Sequence, residues 1–219
     1  MKTKGMLAIA AAALAVSFWS APAAAIGPAD GEVTVLYWES DTDVSGVSEG
    51  SGDIGGRAEV WFLKRWGVSA SLFQPNPGGA LDGTDLRYTN LDAKFRLISP
   101  GENNFLAVGV GWQKIDVSGD ASGETSGARV VAEGRISVKI VYFYARAAYL
   151  PELDDLKIAD ATYTNGSAQE LEAGIQIKPF PFFQIFAGYR ADKTTFDAPE
   201  GGSFEIENQG PVAGIGFNF

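Results

Sequence analysis

Charged side chains in this sequence recur at every second position inside otherwise apolar runs. In "TNLDAKFRLI", Asp92, Lys94 and Arg96 alternate with Leu91, Ala93, Phe95 and Leu97. "RVVAEGRISVK" sets Arg129, Glu133 and Arg135 against Val130, Ala132, Ile136 and Val138. "QELEAGIQIK" sets Glu170 and Glu172 against Leu171, Ala173, Ile175 and Ile177. Arg57, Glu59, Arg146 and Arg190 belong to runs of the same kind. Period-two spacing puts each charged set on one face of a strand. Both signs are present in similar numbers, so charges on neighbouring strands can pair. Two carboxylates on one strand face stand ~7 Å apart, a spacing compatible with glycosidase-like acid–base work. Every charged strand face creates such pairs, however, and the spacing of Glu170 and Glu172 does not by itself argue catalysis.

Other chemistry is excluded by composition. The chain has no histidine and no cysteine. That removes Ser-His and Asp-His catalytic arrangements, imidazole metal sites, disulfides and thiol chemistry. No enzymatic activity and no cofactor are expected. The acidic stretch "ESDTDVSGVSEGSGD" begins like a calcium loop, with Asp41, Asp43, Ser45 and Gly46. Gly52 stands where an EF-hand supplies its bidentate glutamate, so the motif is incomplete and a solvated surface loop is the default. Asp41 and Asp43 are the only weak metal candidates.

The elements that must carry the charged faces are strands. The alternating runs are about ten residues or longer, near the ~9–11 needed for a tilted membrane strand, whereas globular strands average ~5–6. Ten are predicted, centred on 33–40, 57–63, 66–73, 87–98, 104–114, 128–138, 141–150, 168–178, 182–191 and 210–219. Short connections (Leu63-Lys64-Arg65, "SPGEN", Lys139-Ile140, "PFP") alternate with long ones, among them "SDTDVSGVSEGSGDIGG" and "DKTTFDAPEGGSFEIENQ". Short turns facing long loops are the pattern of a bacterial outer-membrane barrel. Hairpin parity agrees: Val138 should face Val141 across its turn, and Phe62 should face Trp66. The first strand is ambiguous, because either Thr34/Leu36/Trp38 or Val33/Val35/Tyr37 could point to lipid. Eight strands remain the alternative if one hairpin lies outside the wall.

Aromatic residues divide into two bands. Phe62, Trp66, Phe95, Phe105, Phe143, Phe180, Phe182, Phe183, Phe217 and Phe219 lie near the short turns, while Trp38, Trp112, Tyr149 and Tyr189 lie farther along. Such bands read as interfacial girdles. Arg57, Glu59, Asp92, Lys94, Arg96, Arg129, Glu133, Arg135, Arg146, Glu170, Glu172 and Arg190 would then line the lumen as a salt-bridged network. A narrow charged conduit is the alternative. Inward glycines at 109, 111, 174, 188, 214 and 216 keep a small internal cavity in play.

The front of the chain reads as a secretory signal. Lys2 and Lys4, an apolar run from Met6 to Trp19 and the Ala23-Ala24-Ala25 exit predict a signal peptide over 1–25 and a barrel domain over 26–219. Losing Lys2 and Lys4 takes the net charge from −10 to −12. That charge argues against nucleic acid as a partner. Lipid and lipopolysaccharide are the expected surroundings, and no oligomeric state can be read.

The last third, "YARAAYLPELDDL" through "QELEAGIQIKPFPFFQIFAGYR" to "GPVAGIGFNF", resembles the end of YfaZ-type small outer-membrane proteins. Glu172-Ala173-Gly174, Pro179, Ala187-Gly188-Tyr189-Arg190, Gly210-Pro211 and Phe219 stand in the places of that family's motifs. The resemblance implies an outer-membrane barrel of uncharacterised role. The ending also resembles the terminal signal that barrel-assembly machinery reads: Gly214, Phe217 and Phe219 fit, and Val212 departs at the polar position. Such a signal implies the assembly machinery and periplasmic chaperones as partners in biogenesis. The expectation is an all-β, antiparallel up-and-down transmembrane barrel of ten strands, exported by the Sec route, with both termini in the periplasm of a Gram-negative bacterium.

Overall fold

A computed structural model describes residues 29–79, 84–101, 103–119, 122–158 and 161–219. The proposed signal peptide lies outside the described residues, as do parts of four connections (80–83, 102, 120–121 and 159–160). The strands are β1 (Ala29–Val44), β2 (Val47–Phe62), β3 (Trp66–Phe73), β4 (Thr84–Gly101), β5 (Asn104–Gly119), β6 (Gly123–Val138), β7 (Val141–Leu153), β8 (Leu156–Ile158), β9 (Ala161–Phe180), β10 (Phe183–Asp197) and β11 (Ser203–Asn218). Each pairs antiparallel with its neighbour, and β11 returns to β1. Ten strands thus close a barrel, and the three-residue β8 is an extra rim strand paired only with β9.

The parity tests are met. Val138 pairs with Val141 and Phe62 with Trp66. The tight turns bend through left-handed residues, Leu63 and Lys64 in one and Lys139 in another. On β1 the ambiguity resolves with Val35 and Tyr37 outward and Leu36 and Trp38 inward.

Most strands overrun the predicted centres, chiefly away from the short turns. The stretch read as an acidic loop is the top of a regular hairpin, paired from Ala29–Phe62 up to Val44–Val47 around Ser45 and Gly46. Asp41 therefore points outward from a strand, and Asp43 accepts the Gly46 N–H (2.8 Å) to cap the turn. The physical reason is a reversal of polarity along the strands. Below the outer aromatic residues Tyr37, Trp112, Tyr149 and Tyr189 the outside is apolar, with Val33, Val108, Ala132, Phe143, Ile175 and Ile185 facing out. Above them the outward positions become Glu39, Asp41, Arg87, Lys114, Asp116 and Lys193. The inside reverses in the opposite sense, from the charged residues to an apolar core. Leu36, Trp38, Phe73, Leu86, Tyr88, Ile115, Leu150, Leu156, Phe196 and Ile206 form that core. Where the outer face becomes charged, the apolar residues are turned inward and kept from water.

Two aromatic placements need correction. Trp38 is 2% exposed and Phe105 5%, so neither belongs to a girdle. Both sit on the inward parity of their strands, where Trp38 joins the outer core and Phe105 packs on Trp61 (5.3 Å between ring centroids).

Candidate functional site: the barrel interior

All twelve charged residues singled out in the sequence lie on the inner wall; eleven of them enter ion pairs there, and Arg96 stacks between aromatic rings. Arg57 donates two hydrogen bonds to Glu172, at 3.2 and 2.7 Å, joining β2 to β9 on the far side of the lumen. Such fork-on-carboxylate geometry is the strongest ion-pair type. Lys94 on β4 donates to Glu59 on β2 and to Glu133 on β6 (2.7 Å). Arg190 is fully buried, bonded to Asp192 (3.0 and 3.2 Å) and Glu172 (3.3 Å) and ion-paired to Glu170 (3.2 Å). Arg129 reaches Asp92 (3.1 Å) and Glu170 (3.3 Å), and Arg146 reaches Glu133 (3.3 Å) and Glu172 (3.5 Å).

Three further charged residues join the twelve. Glu32 accepts from Arg135 (3.3 and 3.4 Å) and approaches Arg146 (3.7 Å). Its strand was the one whose facing alternation left open, so its inward position had no sequence signal. Asp192 and Lys178 carry the right parity on β10 and β9, and that parity was the available signal. Lys178 bonds to Asn218 (3.0 Å) near the short-turn mouth.

Aromatic rings close both ends of the charged layer. At the short-turn end Arg96 lies between Trp61 and Phe105, with its guanidinium carbon 4.0 and 4.3 Å from their centroids. Trp61 donates its indole N–H to Glu59, tying this stack to the charges above it. At the other end Arg190 packs 3.7 Å from the Phe73 centroid and 5.1 Å from that of Trp38. Stacking on ring faces is favourable for a desolvated guanidinium. Higher still, Asn208 on β11 donates to the Tyr88 hydroxyl on β4 (2.9 Å), another bond across the lumen.

The inward glycines do not open space. The side chains of Lys94 and Asp92 lie over Gly109 and Gly111, the Tyr144 hydroxyl over Gly174 and Gly188, Phe186 over Gly214 and Gln184 over Gly216. A cavity of about 30 Å³ remains in the charged layer, bordered by Ser69, Ser71, Asp92, Arg129 and Glu170 among others. That is room for a water or two.

Above the outer aromatic residues, Lys114 bridges Asp116 and Glu124, both at 2.8 Å. The hydrogen bonds to Asp116 and then Glu124 push its ammonium up to about 12. Among the described residues no group of three or more acidic side chains could hold a metal ion. Asp41 and Asp43 stand on one strand face, at the turn described above.

No family model matches the sequence, and neither does any curated protein. The likeness to YfaZ-type proteins therefore rests on motifs alone. Among solved structures, the outer membrane protease OmpT from Escherichia coli is similar in fold (TM-score 0.54, 12% identity, covering 87% of this chain and 96% of that one). Neisserial surface protein A (TM-score 0.42, 12% identity, 86% and 97%) also matches. So does Ail, the attachment invasion locus protein of Yersinia pestis (TM-score 0.37, 14% identity, 87% and 98%). At such identity the likeness concerns the fold alone: this chain is a closed, ten-stranded antiparallel β-barrel.

Proposed function

We propose that this chain is an integral outer-membrane β-barrel with a structural or surface-interaction role and a lumen that does not conduct. Its outward apolar band with aromatic residues at both ends supports placement in a bilayer. The pattern of an N-terminal export signal, together with the first and last described residues, Ala29 and Phe219, at the short-turn side, supports a periplasmic location for the ends of the barrel. Outer-membrane lipid and lipopolysaccharide would surround the wall, and assembly machinery and chaperones would act during biogenesis. Resemblance to YfaZ-type proteins fits this reading.

The observation that carries the closed lumen is the set of ion pairs spanning it, Arg57–Glu172 and Glu32–Arg135 foremost. The cavity of about 30 Å³ found between such pairs is too small for a hydrated solute and supports this reading. OmpT is named a protease. In this chain the interior carboxylates are committed to guanidinium and ammonium partners, and no histidine is present to relay protons. We assign it no catalytic step.

Reconstitution into planar bilayers tests the closed lumen. Insertion verified by heat-modifiable migration, together with silent current traces, is expected. Discrete, reproducible conductance steps would instead establish the narrow charged conduit. A mature chain that stays soluble without detergent would remove the membrane placement itself.

A further inference from the structure

The barrel seam is closed to its last residue. Gly31 donates its N–H to the Phe219 carbonyl (2.9 Å), and Phe219 donates back to the Gly31 carbonyl (3.0 Å). The two residues therefore form one more rung beyond the Glu32–Asn218 pair that ends the β1–β11 ladder. Facing residues on a rung point to the same side. Both here point outward, and the Phe219 ring lies directly over Gly31, filling the space where a β-carbon would stand. Gly31 is nevertheless buried, because that ring covers it.

Its neighbours show what is special about the position. On the next outward rung Val33 faces Phe217, whose ring meets Phe183 edge-on at 5.9 Å. Across β2, Gly31 faces Val60. The phenylalanine ring thus lies across a notch one side chain wide, and Gly31 makes that notch by having none. Glycine in a strand marks such close approaches, and an aromatic ring laid across it recovers the lost packing.

We propose that Gly31 is a receptacle for the side chain of the chain's own C-terminal residue, and that the pair latches the seam in register. No hairpin turn joins β11 to β1, so no turn fixes the register of that pairing. A one-residue slip would flip every β11 side chain to the wrong face. It would turn Phe217 into the lumen and bring Asn218 to the outer wall. The Gly31–Phe219 rung opposes that slip, because only at this register does the terminal ring find a position without a β-carbon.

The latch needs the fold and not the membrane location. It is also separable from any role of Phe219 as an address for assembly machinery, because it acts on purified chain refolding alone. The test is a double-mutant cycle of Gly31→Val, Phe219→Ala and the two together, read as the ratio of folded to unfolded protein in detergent and again in lipid vesicles. Gly31→Val should lower that ratio about tenfold, as overpacking does. The double variant should be no worse than Phe219→Ala alone, since the valine then has no ring to displace. If Gly31→Val abolishes folding, Gly31→Ala carries the same cycle. Independent, additive losses would overturn the latch, as would a Gly31→Val protein that folds like the unaltered chain. A defect of Phe219→Ala seen only in cells would assign Phe219 to addressing and overturn the latch as well.

Discussion

Glu172 shows how far single residues in this interior depend on one another. It is completely buried and receives Arg57, Arg190 and Arg146. Burying these ions is costly, and the cost is met only while each keeps its partners. Glu172→Gln removes the charge but keeps the shape, leaving guanidinium groups partly uncompensated. A loss of about 3–5 kcal/mol is expected, measured by urea unfolding of the inserted protein followed by tryptophan fluorescence. Arg57→Met should cost a similar amount, and the pair together less than the sum, with a coupling of about 0.5–3 kcal/mol. Strict additivity would mean that the bidentate bond contributes nothing. Which residues face inward was legible in the sequence for Arg57, Glu172 and their like, because charge within an apolar alternation has one reading. Trp38 and Phe105 were illegible for the converse reason: an aromatic ring suits the lipid interface and a packed interior equally. Glu32 was hidden because β1 alternates apolar residues on both faces.

At the scale of the strand, the apolar outer band proposed to meet lipid ends where the outward residues turn charged. β5 displays the whole change within one element: Val108 and Val110 face out below Trp112, and Lys114, Asp116 and Ser118 face out above it. An apolar outer face marks this strand in the sequence only as far as residue 114. Above that point the regularity is carried by the inward partners Ile115 and Val117, which a lumen-lining pattern does not predict. The outer half of the β1–β2 hairpin reads as a loop in the sequence for the same reason, since Glu39 and Asp41 stand where outer apolar residues would be. The reversal sets a quantitative contrast. Val108→Arg should cost about 2–4 kcal/mol in vesicle-inserted protein, and Ser118→Arg about 0–1 kcal/mol. Equal costs would mean that the bilayer boundary does not lie at Trp112. The bridge from Lys114 to Asp116 and Glu124 lies on the watery side, where such pairs contribute little.

On the proposed reading the molecule as a whole is closed at three levels along its axis, by different physics at each. The Trp61–Arg96–Phe105 stack blocks the short-turn end, the ion-pair layer fills the middle, and an apolar core of the kind found in soluble proteins fills the rim. These layers succeed one another along shared strands, β4 supplying Arg96, Lys94 and Leu86 in turn, but they share few side chains, with Glu59 and Arg190 as the links between them. A defect in one layer should therefore cost stability without opening a path. Trp38→Ala combined with Phe73→Ala removes two large rings from the rim core, and each truncation should cost about 3–5 kcal/mol. Bilayers holding that variant are expected to stay silent, because the ion pairs beneath still span the lumen. Arg57→Ser with Glu172→Ser thins the middle layer while the other two remain, and silence is expected again. Single-channel recording checks both. Conductance steps in either variant would show that one layer alone holds the barrel shut, and which variant conducts would identify the layer. If both stay silent, adding Trp61→Ala and Arg96→Ala to the combined variant breaches all three closures. Provided that barrel still folds by heat-modifiable migration, it is the one expected to conduct.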